Sequence, residues 1–338
     1  MTPIMKKFID NPATLADDLL EGYAMAFPKL IEKKDHMIIN KKLADADRVT
    51  IVAYGGGGHE PALEGFVGEG GLDICIVGDI FAAPAPDAVL EALKLADKGH
   101  GTILVTFNHA GDMLTGKMVM ADAEDEDLTV RQIITQEDIA TGEPRPAKMG
   151  DVVDRRGLGG GCALFHILGA AAQEGMDLDT IAKLGWDYAN SMATLSVAAR
   201  CATHPANGEP FGDLGDDLME IGMGQHGEGG GGRKKLAPAK DVAEEMAKAL
   251  VDDIGLVSGD KVFLMINGSG ATTLMEMFIV YRDTVNYLKT LGIEVVDNWV
   301  GEILTTQEQA GFQMNIVKWN DTFARLWNAP IRSPYLTK

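Results

Sequence analysis

The sequence predicts an α/β fold of two α/β domains, the first a doubly wound, mostly parallel sheet. Three observations carry this. Short apolar runs bounded by turn residues recur at 49–54, 73–77 and 102–107, as strands buried on both faces of a parallel sheet require. Helix-like stretches separate them, giving the β-α-β alternation of a doubly wound sheet. The second half of the chain alternates again, and 338 residues suffice for two medium domains.

In chain order, Asn11-Pro12 reads as a helix N-cap followed by proline at the first helical position. The helix it opens is predicted to run to Glu32. The next clear helix, 85–96, is entered through Pro84 and Pro86, and a loop rich in glycine, proline and charge covers 141–161. Helices are predicted over 163–173 and 178–201. A boundary near 176–179 then divides the chain into an N-terminal α/β domain, 1–178, and a C-terminal α/β domain, 179–338. In the latter, 238–251 and 272–291 read as helices, and 261–266, 293–297 and 312–318 as strands.

Composition excludes several function classes. Hydrophobic residues make up 46% and charged residues 24%, as expected of a soluble globular protein. A formal net charge of −20 opposes phosphate binding, so neither nucleic acid nor an anionic membrane surface is an expected partner. No apolar run approaches the length needed to cross a bilayer. Residues 1–10 hold two lysines but no apolar core, so no signal peptide is expected. Cys75, Cys162 and Cys201 are odd in number, scattered and without a C-x-x-C pair. Buried hydrophobes in a reducing cytoplasm are the expectation.

Two glycine-packed turns, each wrapped around a histidine, carry the chemistry. Gly55-Gly56-Gly57-Gly58-His59-Glu60-Pro61 follows the 49–54 run directly, and Gly222-Met223-Gly224-Gln225-His226-Gly227-Glu228 continues into Gly229–Gly232. Glycine lets the backbone come close to a ligand and adopt positive φ, at an entropic cost. A chain that accepts that cost twice, each time beside an imidazole, has reason to bind something small there. A lone turn of this kind would read as a flexible loop.

Ligands in open α/β sheets gather beyond the carboxyl ends of strands. Three loops meet that rule, at 55–59, 108–112 and 267–273. The first two follow neighbouring strands, so His59 and Asp112 can face one crevice as an acid/base pair acting on a hydroxyl. Asp112 reads otherwise as a simple N-cap. Gly111-Asp112-Met113-Leu114-Thr115-Gly116-Lys117 fits the first seven places of a P-loop, but Met118 stands where Ser or Thr would ligate Mg²⁺. No nucleotide site is assigned there. Gly268-Ser269-Gly270 before Thr272 is a second, weaker anion-binding candidate. No residue is assigned to a metal.

These residues, with Gly78-Asp79-Ile80-Phe81, Pro84 and Pro86, Arg155-Arg156-Gly157, Gly169-Ala170-Ala171-Ala172 and Gly270-Ala271-Thr272, resemble the dihydroxyacetone-binding subunit of dihydroxyacetone kinases over nearly the full length. The resemblance implies that His226 adds a ring nitrogen to a ketose carbonyl as a reversible hemiaminal, which glycerol, lacking a carbonyl, cannot form. It implies that Asp112 with His59 activates the terminal hydroxyl. Gly55, Gly56, Gly57, Gly58, Phe107 and Asn108 would contact substrate. No cofactor is expected on this chain; ADP or ATP with Mg would sit on a separate helical kinase subunit, without which the chain would be inactive. A homodimer is implied as well.

The family turn is usually Gly-Gly-Gly-Ser-Gly-His, whereas Tyr54 and Gly57 replace its first glycine and its serine. Phe107 stands where lysine is common, and Ala82 and Ala83 where hydroxyl residues are common. A roomier or more apolar pocket is expected, suited to a tetrulose or another short ketose. A non-catalytic ketose sensor of the same fold is the alternative, since relatives act as regulators.

Overall fold

The computed structural model describes residues 7–338. Of the 1–10 segment read for a signal peptide, 1–6 lie outside the described residues. Helix α1 (Leu15–Ala26) leads into strands β1 (Ile31–Lys34), β2 (Met37–Asn40), β3 (Thr50–Gly57) and β4 (Ile74–Ile80). There follow α2 (Pro86–Ala96), β5 (Thr102–Phe107), α3 (Ala110–Asp125), β6 (Val130–Thr135), α4 (Gly161–Gln173) and α5 (Leu178–Ala189). The first sheet has the order β1-β2-β4-β3-β5-β6. Its last four strands are parallel, and the β1–β2 hairpin adds an antiparallel edge.

Strict alternation along β3 explains why it lies at the centre. Ile51 and Ala53 join one core, beneath α1, α4 and α5, while Val52 and Tyr54 join another, beneath α2 and α3. Both faces are thus covered, which makes this sheet doubly wound.

The second sheet is built from β7 (Met192–Arg200), β8 (Leu218–Ile221), β9 (Arg233–Lys235), β10 (Lys261–Gly268), β11 (Glu294–Gly301) and β12 (Ala310–Lys318), in the order β11-β10-β12-β7-β8-β9. Only β10 and β11 run parallel. Helices α6 (Ala239–Ile254) and α7 (Leu274–Thr290) cover one face through Met246, Leu250, Met277 and Val280. The other face adds Phe263, Met265 and Val317 to the core that also holds α4 and α8 (Asp321–Trp327). The two sheets therefore share one core across α4. Gly169 permits the approach of α4 to the 70–71 turn, since a Cβ there would stand 2.6 Å from the Gly70 backbone.

Two of the expected elements differ, and several strands were not expected. The first helix begins after an Asn11 turn, at Leu15, and ends at Ala26, because Pro28 cannot continue it. The predicted 178–201 helix is α5 followed by β7. Asn190 and Ser191 break the helix, and 192–198 alternate between two buried sheet faces despite their alanines. Strands β6, β8 and β9 lie in stretches read as connection. Among the described residues no helix is long and apolar enough to cross a membrane.

Candidate active site

The carboxyl ends of β3 and β5 open onto a cavity that the second half of the chain closes. His59 and Gly55 reach it from the β3 turn, Phe107 from the end of β5, and Asp112 from the first turn of α3. His226 and Gln225 come from the 222–232 loop between β8 and β9, and Leu304 from the loop before β12. Residues 58–60 are clasped from that side. His59 Nδ1 donates to the Thr305 carbonyl at 2.7 Å, Thr305 N donates to the His59 carbonyl at 3.0 Å, and Thr305 Oγ1 donates to the Glu60 carbonyl at 2.8 Å.

Of the residues expected to share one site, His59, Asp112, His226, Gly55, Gly56 and Phe107 line this cavity. Gly57, Gly58 and Asn108 do not. Gly57 continues the strand pairing to Ile80, and Gly58, at φ +97°, donates its N–H to Glu60. Asn108 Nδ2 donates to the carbonyls of Val153 and Arg155, fastening the 151–157 loop. At Gly56 the expected close approach is to the chain itself, since a Cβ would meet Ala82 N at 2.6 Å. The segment so admitted carries Phe81 at φ +57°, a strained angle for a bulky residue. Its ring lies 4.7 Å from that of His59 and 5.2 Å from that of His226.

Hydrogen bonding fixes the imidazole tautomers. A carbonyl only accepts, so His59 carries its proton on Nδ1 and a lone pair on Nε2. His226 Nε2, 3.0 Å away, must then donate to it. His109, the N-cap residue of α3, donates Nε2–H to the Gly157 carbonyl at 2.8 Å. The Gln225 amide facing the same nitrogen at 2.9 Å must therefore present its oxygen, which gives its otherwise unpartnered Oε1 a donor.

Burial makes all three rings poor bases, and each further positive charge would repel the next. Burial and then His226 hold His59 well below the ordinary histidine range, and the same causes lower His109 to about 4. Burial also lowers His226, although Glu228 opposes it. Asp112 moves the other way. Burial pushes it up to about 7, even though it lies in the first turn of a helix, where the dipole favours the anion. It caps nothing, since the N-cap is His109 and Asp112 Oδ1 has no partner. The simple N-cap reading is thereby overturned.

Tyr54 does not open the pocket. Its buried ring points away from the cavity, and its hydroxyl donates to the Asp112 carbonyl at 2.7 Å while accepting from Thr106 at 3.2 Å. Gly116 makes room for this chain, since a Cβ there would stand 2.5 Å from the Tyr54 hydroxyl and 2.6 Å from Gln132 Nε2. Gly116→Ala, which ordinarily gains about 1 kcal/mol inside a helix, should here lose about 1–3 kcal/mol through overpacking. Urea unfolding checks this, and adding Tyr54→Phe should recover part of the loss. Full stability in Gly116→Ala would contradict the packing argument.

The P-loop-like 111–117 segment is helical, with Lys117 exposed, and cannot cradle a nucleotide. The 268–270 candidate is closed by the chain's own carboxylates. Glu276 completes a capping box with Thr273 at the start of α7, and Glu302 accepts from Gly270 N at 2.8 Å. Phe107, Phe81, Ala83, Leu63 and Leu304 give the cavity an apolar wall. The cavity is partly open, and about 30 Å³ of it is free in this conformation, room for about two waters.

Sequence reasoning counted His109 only as a neighbour of Asp112 in the 108–112 loop, and gave Gln225 and Arg156 no site role. Arg156 donates to Asp138 at 2.6 Å and to the Gly222 carbonyl at 2.8 Å, holding the His226 loop to the segment that follows β6.

A family model described as the Dak1 domain matches residues 21–335. The chain is 36% identical over 317 residues to the PTS-dependent dihydroxyacetone kinase, dihydroxyacetone-binding subunit DhaK, of Lactococcus lactis, covering 94% of both chains. It is 30% identical to the L-erythrulose 1-kinase of Mycolicibacterium smegmatis, over 98% of this chain and 58% of that protein. Among solved structures, the dihydroxyacetone kinase operon co-activator Dha-DhaQ matches with a TM-score of 0.87 at 26% identity, covering 94% of this chain and 97% of that one.

Proposed function

The chain belongs to the Dak1 domain family, and on that premise we propose that it is the substrate-binding, catalytic subunit of a cytoplasmic short-ketose kinase. The observation that carries the proposal is the convergence of His59, Asp112 and His226, from two sheets, on one small cavity. His226 bonds a ring nitrogen to the ketose carbonyl carbon, the C=O π pair moves to oxygen, and that oxygen takes up a proton. That proton is the one His226 Nε2 loses, relayed by His59 Nε2 3.0 Å away, so neither buried ring is left charged. Asp112, with a pKa of about 7, takes the proton of the terminal hydroxyl. The phosphoryl group comes from a nucleotide, ATP or ADP with Mg, on a separate helical subunit in this reading, since neither the 111–117 helix nor the 268–270 turn is open to cradle one. Two copies of the chain pair as a homodimer in this reading.

Relatives named for dihydroxyacetone and for L-erythrulose support both ketoses as candidates, and the residues Gly57, Ala82 and Ala83, which stand where polar groups are common, lead us to favour the tetrulose. Mixing the chain with a helical nucleotide-carrying subunit and following phosphate esters by ³¹P NMR tests the proposal. Ketose-dependent ester formation should require both proteins and run faster with erythrulose. The match to a co-activator supports a second reading, a ketose-binding regulator of the same fold. Ketose binding without ester formation from any short ketose would favour that reading, although a pure sensor needs neither Asp112 nor His59.

A further inference from the structure

We infer that His109, His226 and Glu228 form a site for one divalent transition-metal ion of the Zn²⁺ class. A ring nitrogen of each histidine and a carboxylate oxygen of Glu228 lie within 4.8 Å of one another. Two imidazoles and a carboxylate, with a further position left open, are a common zinc donor set.

The surroundings match what metal-binding histidines need. Such rings ordinarily donate their second N–H to a fixed acceptor, which sets the tautomer and turns the free lone pair toward the metal. Both rings do so here: His109 Nε2–H is held by the Gly157 carbonyl at 2.8 Å and His226 Nε2–H by His59 Nε2 at 3.0 Å. In these tautomers the lone pair of each ring is on Nδ1, and the proposed site takes that nitrogen from both. Glu228 is anchored at one oxygen, which accepts from His226 N at 2.9 Å. Its other oxygen has only Arg156 Nη1 at 3.5 Å, and that guanidinium is engaged by Asp138 at 2.6 Å. The carboxylate therefore retains charge for a cation, in a chain of net charge −20 that concentrates cations around itself.

The site lies on the rim between the cavity and a wider opening lined by Asn108, Met113, Val153, Arg156 and Glu228. That opening gives an ion a path in without passing Phe81. A bound ion uses the His226 lone pair, so occupation by metal and capture of a carbonyl exclude each other. This exclusion rests on the carbonyl-capture reading, whereas the metal site itself does not.

Equilibrium dialysis of the full chain against Zn²⁺, read by competition with a chromophoric chelator, tests the site. One ion per chain is expected, with affinity falling at least about tenfold in His109→Phe and again in Glu228→Gln. X-ray absorption of the wild-type complex keeps the test independent of how the variants fold. It should show nitrogen and oxygen neighbours at about 2.0–2.2 Å with imidazole scattering behind them. Failure to retain zinc, equal retention by all variants, or a sulfur shell at about 2.3 Å would overturn the site. A zinc complex that still captures ketose would leave the site standing and overturn the exclusion.

Discussion

His226→Ala should weaken ketose binding by at least about a hundredfold and bring it down to the level of glycerol. The argument is one of selectivity. Glycerol offers hydroxyls like those of a short ketose, and hydrogen bonds to shared groups discriminate poorly between near-isosteres. The cavity's polar groups, His59, Asp112, Gln225 and His226, face an apolar wall of Phe81, Ala83, Phe107, Leu63 and Leu304. A covalent bond to the carbonyl carbon is the interaction glycerol cannot make, and in the proposed mechanism His226 is the nucleophile that forms it. Calorimetric titration with erythrulose, dihydroxyacetone and glycerol checks the expectation. In wild type the ketoses should bind and glycerol should not, whereas the variant should treat all three alike. His226→Ala that keeps ketose affinity while still rejecting glycerol would remove the capture step from the mechanism. His59→Gln supplies a graded comparison, because it leaves the nucleophile in place and removes the acceptor of its ring proton. It should slow capture and release more than it shifts their equilibrium.

The first sheet was legible because its strands carry unbroken apolar runs. Residues 49–54 and 102–107 bury both faces, so composition alone marks them. The second sheet was less so. Its face toward α4 is polar yet buried, with Thr194, Ser196, Gln313 and Asn315 all at 2% exposure or less. These side chains serve backbone and neighbours there. Gln313 Oε1 accepts from Gly159 N at 2.8 Å, and Asn315 Nδ2 donates to Thr194 Oγ1 at 2.8 Å. Polar residues that satisfy one another inside a core leave no periodic apolar signal, so β7 read as the end of a helix.

The candidate site divides along similar lines. His59, Asp112 and His226 were legible from the glycines beside them and from strand ends. His109 was visible only as a neighbour of Asp112, since its role depends on the 222–232 loop folding back from another sheet. The long glycine run after Glu228 has a local cause that sequence did not disclose. A Cβ on Gly231 would run into the Ile221 carbonyl, and one on Gly230 into that of Gly222, so the run doubles back tightly on β8.

Asp112→Asn should abolish turnover with the partner subunit, by about 10²–10⁴-fold, while leaving ketose binding close to wild type. Turnover of the wild type should rise with pH along a limb centred near 7, because the ionised form is the base and burial has moved its pKa to about 7. The stability effect has the opposite sign. The folded state holds the Asp112 proton more tightly than the unfolded chain does, so stability is lost as pH rises from about 4 toward 7. The loss is on the order of 4 kcal/mol at full ionisation. Asparagine has no proton to lose, so the variant should be flatter than wild type across that window and more stable above it. Tyr54→Phe separates the carboxyl from its setting. It removes the hydroxyl bond to the Asp112 carbonyl at 2.7 Å without touching the carboxyl itself. Partial loss of turnover with the pH limb retained is its expected signature. Urea unfolding at pH 5 and pH 8, beside turnover profiles over the same range, reads both effects. An Asp112→Asn enzyme with wild-type turnover, or a wild-type limb that persists in it, would move the base to another residue.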